Sequence, residues 1–483
     1  MTHPFLTFAS LLVIVTVLGV VAWNVASKRW DALSWRNLFA LGFAYYIGIS
    51  ALGISRGVIV GPAGNIGSGA NLMAVTLIVF LVLFYLGAWW GRRRAGLVKL
   101  VPRVELPLTG AAVLGTVAML LSFSLVLALV PIQTYALGAM LMFRGPVAAA
   151  AVGLATYYLI VRRFNPLAWA VFGTVLALTV VITVVGTPGR RAVLSVLFII
   201  PWVWYFASWR YRNRLANYAR LGVGTAMGVA MILIYTPLRH QGLGVGGHAA
   251  TFETRSQQLI GIAQDPLKHL DLEYLGEFVY SDAGPNSLFI IESYPASYAH
   301  RPLAAAYWMV VNPIPRVLWP EKPEALGIVL QRQMRADANL GPGIIGHGWF
   351  EGGMLGVAAY ALFFGVFTGV MDRALAQRAW NPFFVVIAGS HLGNVFGLAR
   401  GDTGLFFLEI LLGVLGCAAL LTIFNLVFGR VAAALPPLPA PAGVPPEYVE
   451  PAAAPGEWDD PGDRDEADEH EPEEAARAWG AQG

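Results

Sequence analysis

NLMAVTLIVFLVLFYLGAWWGRRR, residues 71–94, holds the key to the fold. Asn71 to Trp90 pass without a charge, and Arg92, Arg93 and Arg94 follow at once. An α-helix needs about 20 apolar residues to cross the hydrocarbon of a bilayer. A basic cluster just beyond such a run marks the end kept in the cytoplasm. The rest of the chain repeats the theme. Further apolar runs lie at 5–27, 36–54, 107–130, 146–161, 167–186, 192–209, 217–236, 351–371, 382–399 and 403–428, making eleven expected spans. The run at 5–27 reads as a span rather than a cleavable leader, because no basic residue precedes it and no small-residue cleavage site follows.

Composition agrees. Of the 483 residues 57% are hydrophobic and 13% charged, against roughly 25% charged in a soluble domain. That excludes a soluble enzyme and a nucleic-acid-binding module. The net charge of +3 hides a division, since the last 38 residues carry thirteen acids against two arginines. One cysteine, Cys417, excludes a disulfide framework, a thiolate zinc site and c-type haem attachment. The expected fold is an all-α polytopic membrane protein with about eleven transmembrane helices and one large outer loop segment.

The basic residues set the expected orientation. Lys28 and Arg29; Arg92, Arg93, Arg94, Lys99 and Arg103; Arg162 and Arg163; Arg210, Arg212, Arg214 and Arg220; Arg373 and Arg378; and Arg430 fall after alternate spans. They share the cytoplasmic side of a cytoplasmic (inner) membrane if the count holds, with the N-terminus outside. Four regions follow. Residues 1–236 form a bundle of about eight spans, and 237–350 a large extracytoplasmic segment with short interfacial helices. Residues 351–430 add three spans, and 431–483 form a Pro/Ala-rich, then acidic, cytoplasmic tail expected to be disordered. Within 132–161, Arg144-Gly145-Pro146 interrupts the pattern. It reads either as a broken helix lining a cavity or as an outer loop with a stray arginine.

Arginines accumulate on the outer side, against the usual bias. Arg56, Arg144, Arg190, Arg191, Arg239, Arg255, Arg301, Arg316, Arg332, Arg335 and Arg400 fall there, with only two lysines, Lys268 and Lys322. A guanidinium offers a planar fork of donors that matches phosphate. The plainer alternative is contact with lipid headgroups or loop acids. Three clusters stand out. Gly186-Thr-Pro-Gly-Arg190-Arg191 places free backbone N–H groups and two cations at a helix start, which suits an anion or simply a tight hairpin. Arg400-Gly401-Asp402 fills a short outer turn, with His391 and Asn394 on the preceding helix, and serves either an anion or a local Arg–Asp pair. His347 and Glu351, four apart around a run of glycines, share one face of a helix, and either suits a general base. The spacing also fits zinc, but no third ligand follows, so no metal is expected.

Asn312-Pro-Ile-Pro-Arg316-Val-Leu-Trp319-Pro320-Glu-Lys322-Pro323 resembles the Pro-Arg-x-Leu-Trp-Pro-x-Lys-Pro segment of the oligosaccharide repeat-unit polymerases, the O-antigen polymerase family. Gly353-Met-Leu-Gly356 and Arg400-Gly401-Asp402 look like that family in the right order, so the specific resemblance covers roughly residues 312–402. An acid that the family often carries shortly before the glycine pair is replaced here by His347, with Glu351 one turn later. The resemblance implies an enzyme that joins polyprenyl-pyrophosphate-linked oligosaccharides outside the cytoplasmic membrane. The growing chain leaves its lipid carrier for a sugar hydroxyl, and pyrophosphate departs. Neither metal nor cofactor is implied, and a flippase and a chain-length regulator are the implied protein partners, beside membrane lipids. Arg316 and Arg400 are the candidate catalytic cations, with Arg190, Arg191, Arg144 and Lys322 on the pyrophosphate. His347 or Glu351 is the candidate base. Trp319, Trp349 and Asp402 are candidates for sugar contact, joined by Tyr307, though an interfacial aromatic belt explains the aromatics equally. The competing readings are a ligase that moves a finished glycan to another acceptor and, without enzyme activity, a lipid-linked glycan flippase or transporter.

Overall fold

The computed structural model describes residues 3–27, 31–59, 69–129, 135–186, 190–211, 281–314, 316–336 and 340–441, with isolated positions between 216 and 264. Among them the fold is all-helical, and an isolated bridge between Thr109 and Pro437 is a β contact outside any strand. Among the described residues, eight helices are long and apolar enough to cross a membrane: Pro4–Ser27, Trp35–Ser55, Gly69–Arg93, Gly110–Ala128, Met142–Val161, Pro166–Thr183, Gly343–Arg378 and Thr403–Ala433. Two shorter apolar stretches, the helix Val193–Ala207 and the helical segment Pro382–Gly397, accompany them. The chain is a multi-pass membrane protein. The expected span at 217–236, the outer residues 237–280 and the acidic tail lie outside the described residues, apart from a few isolated helical positions.

The spans are apolar around most of their circumference, so packing between them relies on close backbone approach rather than on an amphipathic stripe. Gly87 and Gly91 on one helix face Gly365 and Gly369 on another, two small-xxx-small pairs that meet. A Cβ on Gly87 would lie 2.7 Å from the Leu362 carbonyl oxygen, and one on Gly365 would lie 2.9 Å from the Ala88 nitrogen. Beside this seam, Phe39 stacks on Phe84 and Phe43 on Phe80, with centroids 4.7 and 4.5 Å apart. Buried hydroxyls turn back on their own helices. Ser10, Thr116, Thr156 and Thr368 each donate to the carbonyl four residues earlier, which satisfies these four donors within the hydrocarbon.

Contacts between helix ends divide the molecule into two poles. At one, the Arg373 guanidinium donates to the Arg92 carbonyl, Arg378 to those of Val98, Val101 and Pro102, and Arg210 pairs with Asp31 at 2.8 Å. Asp372 accepts the Trp35 N–H at the same pole. At the other, Ser50 bonds the backbone of Ser281, and Asn286 donates to the Gly341 carbonyl. The basic clusters that are described therefore gather at one pole. Tyr211 belongs to that pole and Ser281 to the opposite one.

Two readings of the sequence need correction. The helix Tyr135–Val161 runs unbroken through Arg144-Gly145-Pro146, so the chain there is neither broken nor a loop. Pro146 removes the backbone bond that would reach the Met142 carbonyl, yet the helix continues, and the Ser124 hydroxyl of the neighbouring helix donates to the Arg144 carbonyl at 2.9 Å. The run at 382–399 is, by contrast, interrupted: helices Pro382–Gly389 and Leu392–Gly397 meet at Ser390-His391.

Candidate functional site

The pole opposite the basic clusters carries the site, and a glycine pair shapes it. The helix beginning at Gly343 is interrupted at Gly352 and Gly353, where Gly353 takes φ 58°, a left-handed conformation that suits glycine. The chain folds back there. A Cβ on Gly348 would lie 2.9 Å from the Val357 Cα, whereas residues nine apart in a straight helix are about 13 Å apart. The short arm that precedes the turn carries His347 and Glu351, both buried.

Glu351 closes the start of another helix. Its Oε1 accepts the backbone N–H of Ala305 at 2.6 Å, in the first turn of Ala304–Val311, and the Tyr360 hydroxyl at 2.9 Å. His347 Nε2 stands 3.7 Å from the same oxygen, so the expected shared face exists. Its Nδ1 accepts the N–H of Thr403 at 3.2 Å. That bond requires a lone pair on Nδ1, so the neutral ring carries its proton on Nε2, toward Glu351. The ring stacks on Tyr360 with centroids 5.7 Å apart.

Asp402 completes the group. Its Oδ1 accepts the N–H groups of Gly404 and Leu405 and caps Thr403–Ala433, while Oδ2 accepts that of Gly327 in Leu326–Gln333. The same Oδ1 is 3.8 Å from His347 Nδ1. Three helix N-termini thus converge on His347, Glu351 and Asp402, and their positive ends stabilise two buried carboxylates. Asp402, a candidate for sugar contact, has its carboxylate engaged by backbone here. No group of three His, Cys, Asp or Glu is arranged as a metal-ligand set among the described residues.

Arg400, two residues earlier, does not pair with Asp402. Its Nε bonds Asp282 Oδ1 at 2.9 Å, and the second Asp282 oxygen accepts the Gly341 N–H at 3.3 Å. Burial raises the Asp282 carboxyl, but the Arg400 guanidinium outweighs it and holds the group below the usual carboxylate range. The guanidinium also stands 5.9 Å from the Tyr46 ring, and a third of the Arg400 side chain stays exposed. Tyr46 projects from Ala44–Ile49, a π-helical stretch inside the second span, with Tyr45 and Phe396 beside it. Such stretches recur at functional sites.

The remaining candidates are dispersed. Arg316 donates to the carbonyls of Pro320 and Lys322, and the buried Lys322 ammonium donates to those of Asn312 and Ile314, each at 2.7 Å. The charged groups of the Pro-Arg-x-Leu-Trp-Pro-x-Lys-Pro stretch thus bind their own loop. Trp319 is half-buried, edge-on to Tyr307. Trp349 is buried with its indole N–H on the Tyr294 carbonyl. Arg144 is buried within the helix bundle, and one terminal nitrogen has no hydrogen-bond partner among the described residues. Arg190 and Arg191 open the helix Arg190–Ala207, and their side chains lie outside the described residues. His391 is buried, with Nδ1 2.7 Å from the Ser390 hydroxyl.

Asp282, Tyr360 and Tyr46 join the site without having been singled out from the sequence. Asp282 lies 118 residues from its partner. The one available signal was Asp-Ala-Gly-Pro at 282–285, an acid just before a helix start. Compared with protein-family models, curated proteins and solved structures, the chain has no match.

Proposed function

We propose that this protein is a membrane-embedded glycosyltransferase of the oligosaccharide repeat-unit polymerase type, acting on polyprenyl-pyrophosphate-linked glycans. The observation that supports it is a single turn, Arg400-Gly401-Asp402, that carries a cation and abuts the His347–Glu351 pair. Arg400, oriented through Nε by Asp282, keeps part of its guanidinium open, and Asp402 two residues on abuts His347 and, through it, Glu351. In the reaction an acceptor sugar hydroxyl attacks the anomeric carbon of the growing chain. The carbon–oxygen bond to the pyrophosphate breaks, and the leaving group takes the electron pair. Arg400 stabilises the charge that develops on its phosphate. The hydroxyl proton passes to Glu351, a carboxylate whose bonds to Ala305 and Tyr360 both use Oε1. His347 orients that carboxylate, because its Nδ1 is committed to Thr403.

Membrane placement follows the same reading. On this reading the pole that gathers the basic clusters is the cytoplasmic one, and the site lies outside a cytoplasmic membrane. The passage from the basic pole at Tyr211 to the opposite pole at Ser281 agrees with a span at 217–236 and a total of eleven, with the N-terminus outside.

Glu351→Gln tests the base. Glutamine keeps an oxygen for Ala305 and Tyr360, so the protein should reach the membrane at its normal level. Chain growth should fall by roughly 10²–10⁴-fold, the usual contribution of a positioned acid–base group. Polymer of normal length from this variant would remove Glu351 from the role.

A further inference from the structure

The helix Ala304–Val311 and the loop after it have two unlike faces. Ala305, Trp308 and Val311 are buried, and a Cβ on Gly404 at the start of the last span would lie 3.2 Å from that of Ala305. Leu303, Tyr307 and Val310, spaced for one side of a helix, point away from the protein. The exposed apolar surface continues through Ile314, Val317 and Leu318, with Val317 92% exposed and Leu318 77%. Six large apolar groups on 16 residues are more than scattered surface exposure accounts for.

The backbone of the same segment is served from within. Glu351 accepts the Ala305 N–H, the Lys322 ammonium binds the carbonyls of Asn312 and Ile314, and Arg316 binds those of Pro320 and Lys322. Lys322 is only 2% exposed. In water these carbonyls would find solvent, and burying an ammonium to reach them would gain little. In hydrocarbon no solvent is present, and every backbone group needs a partner from the protein. Leu355, just past the Gly352-Gly353 turn, is 83% exposed at the start of the span that follows.

We infer that Leu303, Tyr307, Val310, Ile314, Val317 and Leu318 form a wedge set into the bilayer beside the site, in contact with the acyl chains of that leaflet. Glu351, Lys322 and Arg316 make this immersion possible by satisfying the wedge's backbone. The inference is independent of the polymerase reading, because it uses no step of the reaction.

The test is spin-label accessibility in the full chain, in nanodiscs of phosphatidylethanolamine and phosphatidylglycerol. Cys417 is replaced by Ala, and single labels are placed by Val310→Cys and Val317→Cys, with Val82→Cys on a lipid-facing span and Glu321→Cys on the exposed loop as references. Both wedge labels should give the oxygen-to-nickel-chelate collision ratio of Val82, well above that of Glu321. A ratio equal to that of Glu321 would mean an aqueous surface. Low collision with both reagents would mean coverage by protein, as by a second copy of the chain. Either result overturns the inference.

Discussion

Arg400→Ala is expected to lower chain growth by roughly 10²–10³-fold, the usual cost of removing one donor aimed at a developing anion. The protein should still reach the membrane. The helix beginning at Gly343 leans on the Arg400 backbone rather than its side chain, since the Arg400 and Ala399 carbonyls accept the N–H groups of Gly343 and Ile344. Alanine leaves those bonds intact, so the substitution removes the guanidinium and with it the pair to Asp282. Arg400→Lys should recover part of the activity, because it keeps the charge but loses the Nε bond to Asp282 and the planar fork. Asp282→Asn should resemble the lysine variant more than the alanine one, since it frees the guanidinium without deleting it. Polymer length on gels, normalised to the protein in the membrane, reads all three. Normal growth in Arg400→Ala would dissociate this arginine from the leaving group.

The second large effect falls on folding. Gly365→Leu drives a side chain into the backbone of the facing helix, where a Cβ alone would lie 2.9 Å from the Ala88 nitrogen and 3.0 Å from the Gly87 Cα. Backbone cannot rotate aside as a side chain can, so the two helices must separate. Overpacking commonly costs about 1–3 kcal/mol and here should reach the top of that range or beyond. The expected result is loss of monodisperse protein after detergent extraction and a lower melting temperature in what remains. Gly173→Leu is the control, because nothing stands within 4 Å of its Cβ position, and it should behave as the unaltered protein. Equal behaviour of the two variants would mean that the seam does not hold these helices together.

Eight of the expected spans were legible because length and apolarity alone specify them. A run such as 71–90 has no other stable arrangement, and Gly69–Arg93 covers it. The seam was half legible. Gly87 and Gly91, like Gly365 and Gly369, carry the small-xxx-small spacing in plain view, but which helix faces which is a tertiary fact. Arg144 misled because proline and arginine read as a break, whereas a proline inside a packed helix costs one backbone bond and the helix Tyr135–Val161 continues through it.

The site was legible only where it is local. His347 and Glu351 could be paired because four residues is one helical turn, and the pair lies on one arm. Tyr360 could not. Nine residues on in a straight helix puts it about 13 Å away on the opposite side, and only the reversal at Gly352-Gly353 brings its hydroxyl to Glu351. Arg400 was found as a cation in a short turn, but its partner is Asp282 rather than the adjacent Asp402. Asp402 instead spends its oxygens on the first N–H groups of two helices. Lys322 and Arg316 matched a motif, yet their observed partners are carbonyls of their own loop, which the motif's spacing does not reveal.

The measurement that bears most directly on the proposed function is the lipid-linked glycan profile of cells lacking this protein, by gel and mass analysis. Single repeat units accumulating on the polyprenyl carrier, with no long chains, is the result the polymerase reading predicts. Long chains still built on the carrier but never moved to a final acceptor would contradict it and indicate a ligase.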